Sequence, residues 1–168
     1  MSAAAQRLGW VASGALVPAL TLASPGLLQL GGVGPAWSVL WLLPWALVEG
    51  PGSGALAGLA LALVLDGLHL GPVSEIPALV VLGWWWGRLG RKGLPIERSF
   101  SLGLLALLGA ALLGLSLILQ AAWLGQLTAP VLYTWLAQTL LTALLAPMRS
   151  EEHTSELQSR QYLVCRLL

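Results

Sequence analysis

A carboxylate and an imidazole three residues apart, Asp66 and His69, are the pair in this chain best placed to move a proton. On a helix that spacing puts both side chains on one face, within reach of a hydrogen bond. The sharper use of the pair is a proton relay. The plainer use is a polar contact that closes a helix end and fixes its packing. We prefer the plainer one, because relays draw on several ionisable groups spread over several helices. Only Glu49 and Glu75 could join this pair, and both fall at segment edges. The chain carries no Ser/His/Asp or Cys/His constellation, no phosphate loop and no metal-ligand spacing. The expectation is a protein that is not an enzyme and holds no cofactor or metal.

The segment that positions Asp66 is distinctive. Between residues 51 and 74 it is the one Asp, Glu, Lys or Arg, and it ends a series at four-residue spacing: Gly50, Gly54, Gly58, Ala62, Asp66. In a helix this series lies along one face. Small side chains there let a second helix approach closely in lipid, where apolar area alone gives little association energy. A carboxylate at bilayer depth costs roughly 2.5–3.5 kcal/mol on insertion scales, so it turns toward protein or water. Ala106, Ala110 and Gly114 form a second small-residue row.

Composition agrees with a membrane setting. The 168 residues are 57% hydrophobic and 9% charged, with a mean hydropathy of +0.82, whereas soluble domains are about 25% charged. A net charge of +1 gives no sign of nucleic-acid binding. Nine Trp against one Phe favours the membrane interface. A single Cys165 excludes an internal disulfide. The predicted fold is an all-α integral membrane protein, a compact bundle of about six transmembrane helices, with residues 1–148 as one polytopic domain.

Crossing a core of about 30 Å takes roughly 20 helical residues. The expected spans are 8–30, kinked at Pro18 and Pro25; a short 35–48, extended backward through 31–34; 52–70; 72–86, with Trp84, Trp85 and Trp86 marking an interface; 100–124; and 130–148. Arg88, Arg91, Lys92 and Arg98 share the loop after the fourth span, and Arg7 precedes the first. Six spans with a cytoplasmic N-terminus put all five basic residues inside, as the positive-inside rule requires. That loop, which also holds Gly90, Gly93, Pro95 and Glu97, reads first as a topology determinant and second as a contact for anionic headgroups or a cytoplasmic protein.

The last twenty residues differ from the rest. Nine charged residues precede residue 149 and six follow within residues 149–168. Residues 149–159, Arg-Ser-Glu-Glu-His-Thr-Ser-Glu-Leu-Gln-Ser, resemble the in-frame translation of a sequencing-library adapter. The expectation is that the natural frame is lost near Met148 and that 149–168 is an artefactual tail, so Glu151, Glu152, His153 and Cys165 are not site candidates.

The middle of the chain resembles a known family. Gly54-Ala-Leu-Ala-Gly58, then Val64-Leu65-Asp66-Gly67, then Leu70-Gly71-Pro72, is similar to the core of the bacterial rod shape-determining MreD family, over about residues 35–120. The Trp-rich stretch Trp37-Ser-Val-Leu-Trp41-Leu-Leu-Pro-Trp45 looks like a cyanobacterial member. The resemblance implies six helices arranged like the substrate-binding components of energy-coupling-factor transporters. It also implies a non-enzymatic scaffold of cell-wall elongation in the plasma membrane, with an MreC-like protein, an MreB-like filament and peptidoglycan synthases as partners. Gly54, Gly58, Asp66 and Gly71 would supply close packing and one polar anchor, with His69 beside them. The competing class is a substrate-binding membrane component of a small-molecule transporter. That would need a pocket of convergent polar groups, drawn from Gln29, Asp66, His69, Gln120 and Thr134.

Overall fold

A computed structural model describes residues 13–23, 26–69, 71–91 and 99–146. Arg7, Lys92, Glu97, Arg98 and the whole 149–168 tail lie outside the described residues. Among those described, the regular structure is helical: α1 (Leu16–Ala23), α2 (Trp37–Glu49), α3 (Pro51–Leu68), α4 (Ile76–Arg91), α5 (Ser99–Trp123) and α6 (Ala129–Ala146). Pro51–Leu68, Leu102–Trp123 and Ala129–Ala146 are long and apolar enough to cross a membrane. Their outer faces agree. Leu104, Leu108, Leu112, Leu115 and Leu119 form an exposed ridge along α5, and Leu132, Leu136, Leu140 and Leu144 form another along α6. Leu119 is 61% exposed and Leu144 67%. Ridges of this length exceed what a water-soluble surface carries.

The second expected span needs correction. Of the first expected span, residues 8–12, 24 and 25 lie outside the described residues; residues 13 and 14 are helical, and α1 follows after one turn residue. α1 is described as far as Ala23. A 3₁₀ turn at Gly26–Leu28 comes next, and then Leu30 and Val33 pair backbone to backbone at 2.9 and 3.2 Å. The turn between them needs positive φ twice, and Gly31 (60°) and Gly32 (86°) supply it. This hairpin prevents α2 from extending backward through 31–34. Instead α2 starts at Trp37, and the Ala36 N–H before it donates to the α6 hydroxyl Thr142 Oγ1 at 2.9 Å.

α2 is apolar on every side and sits at the centre. Val39, Leu42 and Ala46 are fully buried, as expected for a helix without a polar face. One residue, Gly50, separates α2 from α3, and its φ of 95° makes the reversal possible. Pro51 then opens α3 at the first helical position, where a missing N–H costs nothing.

α3 and α4 run antiparallel and touch through their backbones. A Cβ on Gly54 would strike the Gly83 carbonyl, one on Gly58 the Leu79 carbonyl, and one on Gly83 the Gly54 carbonyl. Gly87 lies in the same way on Gly50 and Pro51, and Gly90 on Leu47. The small-residue face of α3 is therefore used inside the molecule.

The fourth segment is also displaced from its expected 72–86. It begins at Ile76 and continues through the tryptophans to Arg91. Trp84 is 46% exposed, but Trp86 is fully buried, with Gly109 of α5 beneath its ring. Three consecutive helical residues point about 100° apart, so the Trp run presents one ring outward and one into the bundle. α5 carries its small row inward as expected, with Ala106, Ala110 and Gly114 all buried. It ends in a Schellman motif: Gln126 N–H to Ala121 O at 2.8 Å, Gly125 N–H to Ala122 O at 3.1 Å, and Gly125 at φ 69°. Trp135 of α6 packs over Gly114 and donates its indole N–H to Ala111 O at 3.2 Å.

Candidate functional site

Asp66 lies in the last turn of α3, where the helix dipole disfavours an anion. Its oxygens resolve the conflict by serving the next helix. Oδ1 accepts the Glu75 N–H at 2.9 Å, and Oδ2 accepts the Ser74 hydroxyl at 2.5 Å. Both donors stand at the N-terminus of α4, where unpaired N–H groups and the positive dipole end favour a carboxylate. The first turn of α4 has no acidic residue of its own. Asp66 thus caps α4 from the neighbouring helix.

Ser74 links this cap to a third helix. Its Oγ accepts the Ile76 N–H at 3.1 Å while donating to Asp66. Its backbone is clamped by the side-chain amide of Gln120 on α5. The Ser74 N–H donates to Gln120 Oε1, and Gln120 Nε2 donates to the Ser74 carbonyl, both at 2.9 Å. Gln120 Nε2 also reaches Ser116 Oγ at 3.3 Å. Three helices therefore meet through one carboxylate, one hydroxyl and one carboxamide.

Glu75 holds the unpaired atom of the group. Its Oε2 is buried without a hydrogen-bond partner. Burial raises its pKa above the usual carboxylate range; Asp66 adds to the rise and His69 offsets part of it. His69 stays at the exposed edge, its Nδ1 3.1 Å from the Leu65 carbonyl of its own helix. His69 is the extended residue that follows α3, and Asp66 takes Ser74 and Glu75 as its hydrogen-bond partners.

The remaining candidates divide clearly. Gly54 and Gly58 are buried in the α3–α4 seam. Gly71 is exposed, and a Cβ there would meet no atom of this chain within 4 Å. Arg88 and Arg91 sit at the opposite end of α4, about 20 Å from the Asp66 junction. Arg88 lies over the Trp84 ring at 5.3 Å, and Arg91 covers Gly50. Sequence reasoning missed Gly83 and Gly87, although they repeat the four-residue spacing that singled out α3. It noted Gln120 only as a polar residue within a span, and Ser74 carried no signal at all.

No cluster of three or more His, Cys, Asp or Glu that could hold a metal ion occurs among the described residues. Two open clefts flank the bundle. One of 350 Å³ beside the junction is lined by Pro77, Ser116, Gln120 and apolar residues of α5. The other, of 760 Å³, is an apolar groove between α1, α2 and α3 with Trp41 and Trp45 stacked at 5.5 Å on one wall. Chemically, the junction is a joint between helices: both Asp66 oxygens accept donors from the α4 start. Compared with known proteins, the chain matches no family model, no curated protein and no solved structure.

Proposed function

We propose that this chain is a non-enzymatic membrane scaffold of the bacterial cell-wall elongation machinery. In this reading it is a six-helix, multi-pass protein of the plasma membrane with a cytoplasmic N-terminus, built like the substrate-binding components of energy-coupling-factor transporters. It links an MreC-like protein and an MreB-like filament to peptidoglycan synthases. One observation carries the reading. The residues that resemble the MreD family, Gly54, Gly58 and Asp66, are used to hold helices together, which leaves the outer leucine ridges for lipid and partner helices. A scaffold needs a rigid body of this kind. Arg88 and Arg91, at one end of the hairpin, support a cytoplasmic loop there.

The test is Asp66→Ala in the full chain. Disturbed cell shape, or weaker co-purification of the MreC-like protein with membrane insertion retained, is the expected result. Normal cell width with undiminished co-purification would overturn the reading. Tight binding of a small molecule, or stable capture by an energising ATPase module, would move the chain to the transporter class.

A further inference from the structure

The Asp66 junction contains one group that the scaffold reading leaves unused, the Glu75 carboxyl. Four observations bear on it. Oε2 is buried with no donor although the residue as a whole is only half-buried, and burying an ionised carboxylate oxygen unpaired costs more than burying a neutral one. The nearest acid, Asp66, is bonded to Glu75's own N–H, so two carboxyl groups share a small volume. The surrounding helices offer little compensation. α3 presents Asp66 and His69, and His69 is exposed; residues 99–146, covering α5 and α6, contain no Asp, Glu, Lys, Arg or His, Tyr133 being their one titratable side chain. Finally, Glu75 is part of the joint itself. Its carbonyl accepts the Leu79 N–H at 3.0 Å, its N–H is held by Asp66, and its neighbours Ser74 and Ile76 carry the clamp and the cap.

We infer that Glu75 is a proton-binding residue that couples the α3–α4–α5 junction to pH. With its proton on, the side chain stays within the bundle and Gln120 grips Ser74. When the proton leaves to water, the carboxylate turns outward to be hydrated and pulls on residues 74–76, loosening the Gln120 clamp and the Asp66 cap together. The raised proton affinity expected from burial and from Asp66 agrees in direction. This inference does not depend on which partner the scaffold binds.

The experiment uses the full chain in lipid nanodiscs. An infrared titration follows the carboxylic-acid carbonyl band, with Glu75→Gln identifying the Glu75 component. That component is expected to persist above the ordinary glutamate range, with a midpoint lowered by Asp66→Asn and raised by His69→Gln. Hydrogen exchange of the residue 74–76 amides gives the second readout. Exchange in wild type should match Glu75→Gln below the midpoint and run faster above it. A band that titrates as an ordinary glutamate and ignores both neighbouring substitutions would overturn the proposal. So would exchange that equals that of Glu75→Gln at every pH.

Discussion

The α3–α4 hairpin is held by opposite means along its length. In its middle, Gly54, Gly58 and Gly83 bring the two backbones into direct contact. At its end, Asp66, Ser74 and Gln120 hold the helices by four hydrogen bonds, three between side chain and backbone and one between side chains. The seam depends on the absence of atoms and tolerates no addition. The junction depends on particular atoms and tolerates no removal. In lipid the two are complementary. Close approach yields dispersion but no directionality, and a polar network supplies the register that a smooth glycine groove lacks.

The largest effect should come from filling the seam. Gly54→Leu and Gly83→Leu each place a side chain against a carbonyl on the facing helix, and backbone cannot step aside as a side-chain tip can. Overpacking elsewhere costs about 1–3 kcal/mol, and these positions should reach or exceed the upper end. Denaturant or thermal unfolding in detergent should show it, together with failure of a disulfide placed across α3 and α4. Wild-type stability in both variants would mean the helices are not in backbone contact.

Next comes the junction. Asp66→Ala strips the Ser74 hydroxyl and the Glu75 N–H of their acceptor, and hydrogen bonds to a charged group contribute about 1.5–3 kcal/mol each. The loss should exceed that of Gln120→Ala, whose bonds are neutral and worth about 1 kcal/mol each. If Gln120→Ala proves the more damaging, the clamp outranks the cap and the order of importance reverses.

Legibility in the sequence follows the same division. The seam could be read on α3 because Gly50, Gly54, Gly58 and Ala62 repeat every fourth residue in a stretch with little else. Its partner on α4 was equally regular, but Gly83 and Gly87 are interleaved with three tryptophans that drew the reading toward the membrane interface. α5, α6 and the bounds of α3 were legible because a long apolar run has few other solutions in a bilayer. The junction was half legible. A lone carboxylate at a helix end announces a polar contact, whereas its partner Ser74 lies 8 residues away and Gln120, which grips Ser74, a further 46, and no local pattern links them. The turn at Gly31–Gly32 was missed for a different reason. Residues 31–34 fit a backward extension of the second span by composition, but positive φ at Gly31 and Gly32 reverses the chain there.

The junction and the seam should also differ in pH response. Glu75 has a folded-state pKa above its unfolded value, so the folded state binds the extra proton. Its contribution to stability is therefore full below the ordinary glutamate pKa near 4.5 and is lost as pH rises through the raised value. Unfolding followed across that window should show wild type weakening with rising pH and Glu75→Gln holding level. A seam variant such as Gly58→Ala should lower stability by the same amount at every pH, since no titrating group is involved.

The smallest effect sharpens the comparison most, because it changes the sign while keeping the chemistry. Gly67 lies on α3 like Gly54 and Gly58, but a Cβ there meets nothing within 4 Å, and its φ is not positive. Alanine at that position adds no collision and removes the entropy cost of glycine in a helix, so Gly67→Ala should stabilise by a few tenths to about 1 kcal/mol. Gly58→Ala, the same methyl group nine residues earlier, should destabilise. If both substitutions stabilise, glycine on α3 reflects composition alone. If both destabilise, Gly67 faces a neighbour absent from this chain, and the outer surface of α3 near the junction becomes the first place to look for the partner helix.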